Sequence, residues 1–371
     1  MFIAGDPSGD QHAAAVVERL HAGVPEAGIW GIAGPAMEKA GCAPVMPFSP
    51  FNRMGFLEVA LHIGFFLSAK NKCIALLDEK KPSLVVCVDF SGFNIPMMKA
   101  AAKRAIPVVW YIAPMVWAWK KKRAEVLGRH AAHIAVIFPF EVPWFSRYKA
   151  PVSFVGNPTV EAMKSAGFFS GPKKTHPGPK GFHLAIVPGS RRQEVEHLLP
   201  RMIEAYSILR RRFPGLRATV SRYPALPESL FSPCLRDESI AVVSGPLRAI
   251  LDRADCAMVT SGTATLETAL LGIPHIIAYH TSAITYAIGK KLINVPSIGL
   301  PNIIAGEQIV PECIQEGAGA ANLALTLGRF IESPKLYEST VGRLIALRER
   351  LGEKRPSEEV FGIIKKVGGW R

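Results

Sequence analysis

No CxxC pair occurs in the chain, whose six cysteines (Cys42, Cys73, Cys87, Cys234, Cys256 and Cys313) are scattered along 371 residues. That spacing speaks against a structural zinc site and a dense disulfide scaffold, and predicts reduced, mostly buried thiols in a cytosolic protein. The start, Met1-Phe2-Ile3-Ala4-Gly5-Asp6, lacks the basic and apolar regions of a signal peptide. Long apolar runs are missing too. The run Val59 to Ala69 falls short of the ~20 residues that cross a bilayer, and Ala105 to Trp119 is interrupted by Pro107 and Pro114. Acid is in deficit: 30 Asp and Glu against 44 Lys and Arg leave a net charge of +14. The surplus is shared by both halves of the chain. It favours an anionic partner, whether nucleic acid, a phosphorylated small molecule or an acidic membrane surface, and charge alone does not choose among them.

What is present is a globular composition, 49% hydrophobic and 20% charged, with material for two cores. With 32 Gly and 30 Pro the chain is heavily punctuated, which predicts short elements and argues against a helical bundle. Apolar runs alternate with helical patterns. Leu84 to Val88 reads as a strand buried on both faces, Asn94 to Arg104 as a helix, and Val108 to Ile112 and His133 to Phe138 as further strands. The stretch 170–181 has linker composition. Beyond it the rhythm resumes: strands at Leu184–Val187, Ala218–Val220, Ala241–Val243, Ala257–Val259 and His275–Ala278, and helices at Glu194–Arg212 and Ala264–Leu271. The expectation is an α/β protein with two Rossmann-like, doubly wound parallel-sheet domains, 1–169 and 182–335, facing an inter-domain cleft. Helices over Asn322–Leu351 and Ser357–Val367 follow, so that 336–371 is free to return to the first half.

Open parallel sheets bind ligands at the carboxyl ends of their strands, so the loops leaving strands carry the candidate chemistry. Gly5-Asp6-Pro7-Ser8-Gly9-Asp10 is a strand-to-helix turn in which Ser8, Gly9 and Asp10 either meet a ligand or cap the helix. Asp89 ends an apolar strand, placed as a general base with a raised pKa or as an acceptor of backbone hydrogen bonds. Pro188-Gly189-Ser190-Arg191, with Glu194 beyond, offers N–H groups and a guanidinium fork to a phosphate; the alternative is a capped helix with a solvated Arg. Ser261-Gly262-Thr263 opens another helix, and Glu267 lies about one turn in, where a carboxylate can take both hydroxyls of a ribose. Asn302 is expected in a loop on the cleft.

Together these motifs resemble the lipid-A-disaccharide synthase family, glycosyltransferases of the GT-B fold. The match runs nearly end to end. It includes Ala4-Gly5 with Ser8-Gly9-Asp10, Met54-Gly55 with Glu58-Val59, Asp89 with Phe93-Asn94, and Pro114 with Val116-Trp117-Ala118-Trp119 and Arg123. Pro139-Phe140-Glu141, Val155-Gly156 with Pro158, Pro188-Gly189-Ser190-Arg191 with Glu194, Ser261 to Glu267, and Pro301-Asn302 complete it. The resemblance implies an inverting transferase that joins UDP-2,3-diacylglucosamine to 2,3-diacylglucosamine 1-phosphate (lipid X), forming a β-1,6 disaccharide and UDP. It assigns Asp89 as base, Arg191 to phosphate charge, and Glu267 and Asn302 to UDP. It implies no cofactor and no metal, a homodimer, and a cytoplasmic enzyme peripheral on the inner face of the inner membrane. Asp6-Pro7, Ser91-Gly92, Met115 and Asn157 depart from the family's usual residues.

Lipid substrates give the charge a purpose. Phe56 to Leu67, with Phe56, Leu61, Phe65 and Phe66, suits an interfacial helix as well as a core helix. Trp117 and Trp119 precede the basic run Lys120 to Arg123, suited to anionic headgroups. A UDP-sugar epimerase or another UDP-hexosamine transferase would keep the fold and change the reaction. No RNA-binding module accompanies the basic clusters, so nucleic acid is not an expected partner.

Overall fold

A computed structural model describes residues 1–48, 51, 63–115, 122–148, 151–171, 174–178, 181–281, 286 and 296–370. The chain forms two compact units, Met1–Glu161 joined by Leu351–Arg371, and Ala162–Arg350.

In the first unit a seven-stranded sheet has the order β3-β2-β1-β4-β5-β6-β7. Its strands are β1 (Phe2–Ala4), β2 (Trp30–Ala33), β3 (Ala43–Pro47), β4 (Val85–Val88), β5 (Val108–Tyr111), β6 (His133–Val136) and β7 (Val152–Phe154). The pairings are parallel; β1, for example, sets Ile3 opposite Ile32 on one side and Cys87 on the other. Strands β4 and β5 are buried throughout, as continuous apolar runs require when helices cover both faces. The second unit holds β8 (His183–Val187), β9 (Arg217–Arg222), β10 (Ile240–Ser244), β11 (Cys256–Thr260), β12 (His275–Tyr279) and β13 (Glu312–Ile314). Their order is β10-β9-β8-β11-β12-β13, so each sheet reverses direction of growth once, between β1 and β4 or between β8 and β11. A reversal point leaves a crevice at the strands' carboxyl ends, because the connections there leave to opposite faces.

The stretch 170–181 is not a free linker. The His176 ring packs edge-on against Phe182 and Tyr337, its Nε2 lies 3.0 Å from the Ile331 carbonyl, and Lys174 Nζ donates to the Asp252 carbonyl. These anchors belong to the second unit, so the division falls at Glu161/Ala162, inside the helix Pro158–Ser165, rather than after residue 169.

The long helix expected over Asn322–Leu351 is two, Ala320–Glu332 and Pro334–Leu351. Pro334 has no N–H for the preceding turn, and Ser333 Oγ instead accepts from the Leu336 N–H at 3.2 Å, starting a new helix. All but the last residue of this helix stays with the second unit. The return to the first unit is made by Pro356–Gly368, which packs on Pro7–Gly23. Val360 and Ile364 are fully buried, worth about 1.5–3 kcal/mol each, and Arg19 binds Glu358 at 2.7 Å. All six cysteines are unpaired and buried.

Candidate functional site

The turn after β1 is built around two carboxylates. Asp6 caps the helix Pro7–Gly23, its Oδ1 accepting from the Gly9 N–H at 2.7 Å. Asp10 is buried and reaches across to the next turn. Its Oδ1 accepts from the N–H groups of Gly34 (2.8 Å) and Met37 (3.2 Å), and its Oδ2 from that of Ala36 (2.9 Å). Asp10 therefore holds the start of the helix Pro35–Lys39 rather than reaching toward a ligand, which corrects its expected direct contact. Ser8 is exposed, its hydroxyl 3.1 Å from His12 Nε2, whereas Gly9 is buried.

Asp89 follows β4 directly, beside the reversal point. Asp89 and Phe90 both take left-handed backbone conformations, with φ of +42° and +45°. Such a pair costs about 1–2 kcal/mol per residue and persists only where surroundings hold it. Here the Asp89 N–H donates to the Tyr111 carbonyl at 2.9 Å, continuing the β4–β5 ladder. Asn94 Nδ2 lies within donating reach of the carbonyls of Ile3 (3.3 Å), Val88 (3.3 Å) and Asp89 (2.9 Å), tying the ends of β1 and β4 to the turn. The Phe90 ring lies over Gly5, where a Cβ would collide with it. Only glycine lets the two turns approach this closely. Asp89 is half-buried, and this desolvation, with the nearby charge of Asp6, pushes its carboxyl up to about 6 although the Phe90 N–H pulls the other way. Close by, Arg123 Nη1 donates to Ser91 Oγ at 3.0 Å, so the hydroxyl at this departure from the family pattern receives a guanidinium.

Phe65 and Phe66 fall in the helix Ile63–Lys80 and pack around Phe51, with ring centroids 5.1 and 5.7 Å from it. Phe51 is buried and also meets Phe90 and Phe93. Phe65 and Phe66 are partly buried and pack against the first unit's core, while Leu67 beside them is exposed. Phe56, Leu61, Trp117 and Trp119 lie outside the described residues.

In the second unit the turn after β8 has Gly189 at φ +112°, and a Cβ there would strike the Glu194 carboxylate. Glu194 folds back over the turn to accept from the Arg191 N–H (3.3 Å) and Nη1 (2.9 Å), capping the helix Arg192–Arg212. The Arg191 side chain is nonetheless 82% exposed, and Ser190 is exposed beside it. After β11, Ser261 Oγ donates to the Ile298 carbonyl at 3.2 Å, and Gly262 and Thr263 are exposed at the start of the helix Thr263–Leu270. Glu267 lies 3.5 Å from Arg248 Nη2, both side chains about three-quarters buried.

Asn302 sits in a short helix, Leu300–Ala305, rather than a loop, and is buried. Its Nδ2 donates to the Val310 carbonyl (2.9 Å) and to Glu312 Oε1 (2.8 Å), while its Oδ1 accepts from the N–H groups of Ile309 (2.8 Å) and Val310 (3.0 Å). Both donors and both lone pairs are used, so Asn302 shapes the loop and has nothing left for UDP; the expected direct contact is corrected. Glu312 completes the arrangement by accepting from Ile298 and Gly299. Neither Glu312 nor Arg248 was expected. A lone acid in a three-residue edge strand and an Arg in a short helix carry no sequence pattern. Among the described residues no His, Cys, Asp or Glu cluster could hold a metal ion, and no helix is long and apolar enough to cross a membrane.

Known structures share this architecture. The chain matches UDP-GlcNAc 2-epimerase from Neisseria meningitidis, solved with UDP-GlcNAc bound, at a TM-score of 0.63 and 13% identity over 98% of each chain. It matches a calicheamicin glycosyltransferase at a TM-score of 0.61 and 16% identity, over 96% of this chain and 94% of that one. At such identities the likeness establishes the fold, two parallel-sheet α/β domains of the GT-B kind. Sequence relatives go further. The lipid-A-disaccharide synthase of Geobacter sulfurreducens is 34% identical, aligned over all of this chain and 97% of its own. That of Geobacter metallireducens is 35% identical with the same coverage. The family model for lipid-A-disaccharide synthetase matches residues 1–355, and the chain belongs to that family of glycosyltransferases of lipid A biosynthesis.

Proposed function

We propose that the chain condenses UDP-2,3-diacylglucosamine with 2,3-diacylglucosamine 1-phosphate, giving the β-1,6-linked disaccharide 1-phosphate and UDP. The acceptor's 6-hydroxyl oxygen attacks the donor's anomeric carbon, its proton passes to Asp89, and the carbon–oxygen bond to the diphosphate breaks with its electron pair leaving on UDP. Attack opposite the leaving group inverts the anomeric centre. The observation that carries this reading is the half-buried Asp89 at the β1/β4 reversal, with its carboxyl at about 6. A base of that strength is ionised at neutral pH and binds the departing proton better than an ordinary carboxylate.

Arg191 is the phosphate contact in this reading. Its exposed guanidinium needs only to leave Glu194 to take a diphosphate oxygen, beside the helix start that favours negative charge. Ser8 and Gly9 are on the acceptor side; Gly189, Ser190, Ser261, Gly262 and Thr263 line the donor side, and Glu267 takes the ribose hydroxyls. Basic side chains and helix N-termini offset charge on the leaving UDP, so the reaction runs without a metal or cofactor. Acylated substrates place the enzyme on the anionic inner face of the inner membrane, as a homodimer.

The test is turnover of both lipid substrates in detergent micelles. Wild type yields disaccharide 1-phosphate and UDP in equal amounts, with a rate that falls as pH drops through about 6, where Asp89 takes up a proton. UDP-sugar epimerisation without disaccharide, from folded protein, would overturn the reading.

A further inference from the structure

A second charged cluster lies wholly within the second unit, apart from the residues assigned above. His280 follows β12 directly. The alternation that buries Ile276 and Ala278 in the core beside helix Arg192–Arg212 turns His280 toward the same helix. From that helix His197 brings its ring to 5.6 Å from the His280 ring, and Arg201, four residues on, shares its face. Arg201 Nη1 and His280 Nδ1 are both shut off from water, and neither has a hydrogen-bond partner. Buried polar nitrogens are nearly always paired, so two such orphans in one cluster point to an absent acceptor. The charged groups that act on His280 are Arg201, His197 and Glu316. Burial first, then the two basic neighbours, hold its imidazole below the usual range, with Glu316 opposing. His197 is exposed, so the cluster opens to solvent.

We propose that His280, Arg201 and His197 form a phosphate subsite that receives the phosphoryl group of one of the two substrates, an inference that rests on the reaction proposed above. The free guanidinium N–H would donate a charge-assisted hydrogen bond to a phosphate oxygen, and the phosphate's negative charge would offset the basic neighbours and favour a proton on His280, letting its Nδ1 donate as well. With ~1.5 Å of rise per residue, His197 lies about 9 Å along the helix from Arg191, so this subsite is separate from the glycine turn. Two phosphorylated groups are available to it: the donor's diphosphate and the acceptor's 1-phosphate.

The test follows the imidazole nitrogen resonances of His197 and His280 in the unmutated full chain during titration with UDP, glucosamine 1-phosphate, inorganic phosphate and uridine. The expected result is a shift of His280 with UDP or glucosamine 1-phosphate and none with uridine. A response to UDP alone assigns the donor's diphosphate, and one to glucosamine 1-phosphate alone assigns the acceptor's. Arg201→Met and His280→Gln should each weaken that ligand at least tenfold while leaving uridine affinity unchanged. No shift with either substrate phosphate, or a response to inorganic phosphate only, overturns the subsite whether or not the variants fold. If the phosphate ligands move His280 while the protein makes no disaccharide, the subsite stands and the proposed reaction fails. If disaccharide forms while the imidazoles stay unmoved, the reaction stands and the subsite fails.

Discussion

The two units repeat one plan and spend it differently. Both sheets grow outward from a central strand, reverse once, and open glycine turns at the reversal. In the first unit the charge at that point is preorganised: Asp89 is half-buried, held in a left-handed turn, and raised toward neutrality by its surroundings. In the second, Arg191 stands 82% exposed with a single carboxylate for company. A proton acceptor gains from being fixed and desolvated before substrate arrives, because its strength depends on that environment. A phosphate-binding guanidinium gains little from burial, since its charge survives in water and its partner arrives with the ligand.

The sharpest way to break this contrast is Asp89→Asn, which keeps the shape and tolerates the left-handed turn. Turnover of the two lipid substrates should fall about a thousandfold, within the usual range for losing a general base. Stability should move the other way. The folded protein holds the Asp89 proton more tightly than the unfolded chain, so stability declines as pH rises from about 4 to about 6 and stays lower above. Calorimetry at pH 7 should therefore find Asp89→Asn more stable than wild type, by up to about 3 kcal/mol, and the gain should vanish near pH 4. Arg191→Ala comes next. A loss of about a hundredfold in turnover should accompany a nearly unchanged melting temperature, because exposed ion pairs contribute no more than about 1 kcal/mol. A large fall in melting temperature would mean that Arg191 serves the fold and that the contrast between the units is false.

Asn302→Ala asks whether the second unit also has a preorganised part. Removing its four hydrogen bonds should cost about 2–3 kcal/mol and weaken UDP through the loosened loop, with Asn302→Asp no rescue because it sets a carboxylate against Glu312. Glu267→Gln is the mildest change, expected to weaken UDP about tenfold in titration calorimetry while leaving stability alone.

What the sequence disclosed follows from what each element depends on. Central strands such as β4, β5, β8, β11 and β12 were legible because burial on both faces demands an unbroken apolar run, whatever the rest of the molecule does. Strands β2, β3, β7 and β13 were not: β3 reads Ala-Pro-Val-Met-Pro and β13 only Glu-Cys-Ile, short edge segments whose pairing is decided by neighbours far along the chain. The same division runs through the site. Asp89 was visible because the strand it ends was visible. Asn302 stood out as a motif residue, yet its task was hidden, since its partners Val310 and Glu312 matter only once the loop is closed. Phe65 and Phe66 have a composition that suits lipid or core equally, and their packing around Phe51 depends on a ring far from them in no periodic pattern.

The route of the chain sets an order of assembly. Residues Ala162–Arg350 form one continuous stretch, while the other unit is assembled from Met1–Glu161 and Leu351–Arg371. The helix Pro356–Gly368 supplies Val360 and Ile364 to a core whose remaining buried members lie before residue 156. A ribosome therefore releases the second unit in full while the first unit's core still lacks one wall. The face of Pro7–Gly23 that this helix covers stays exposed until residues 356–368 have been made, so the unit that bears Asp89 closes its core only after the other unit's chain is out.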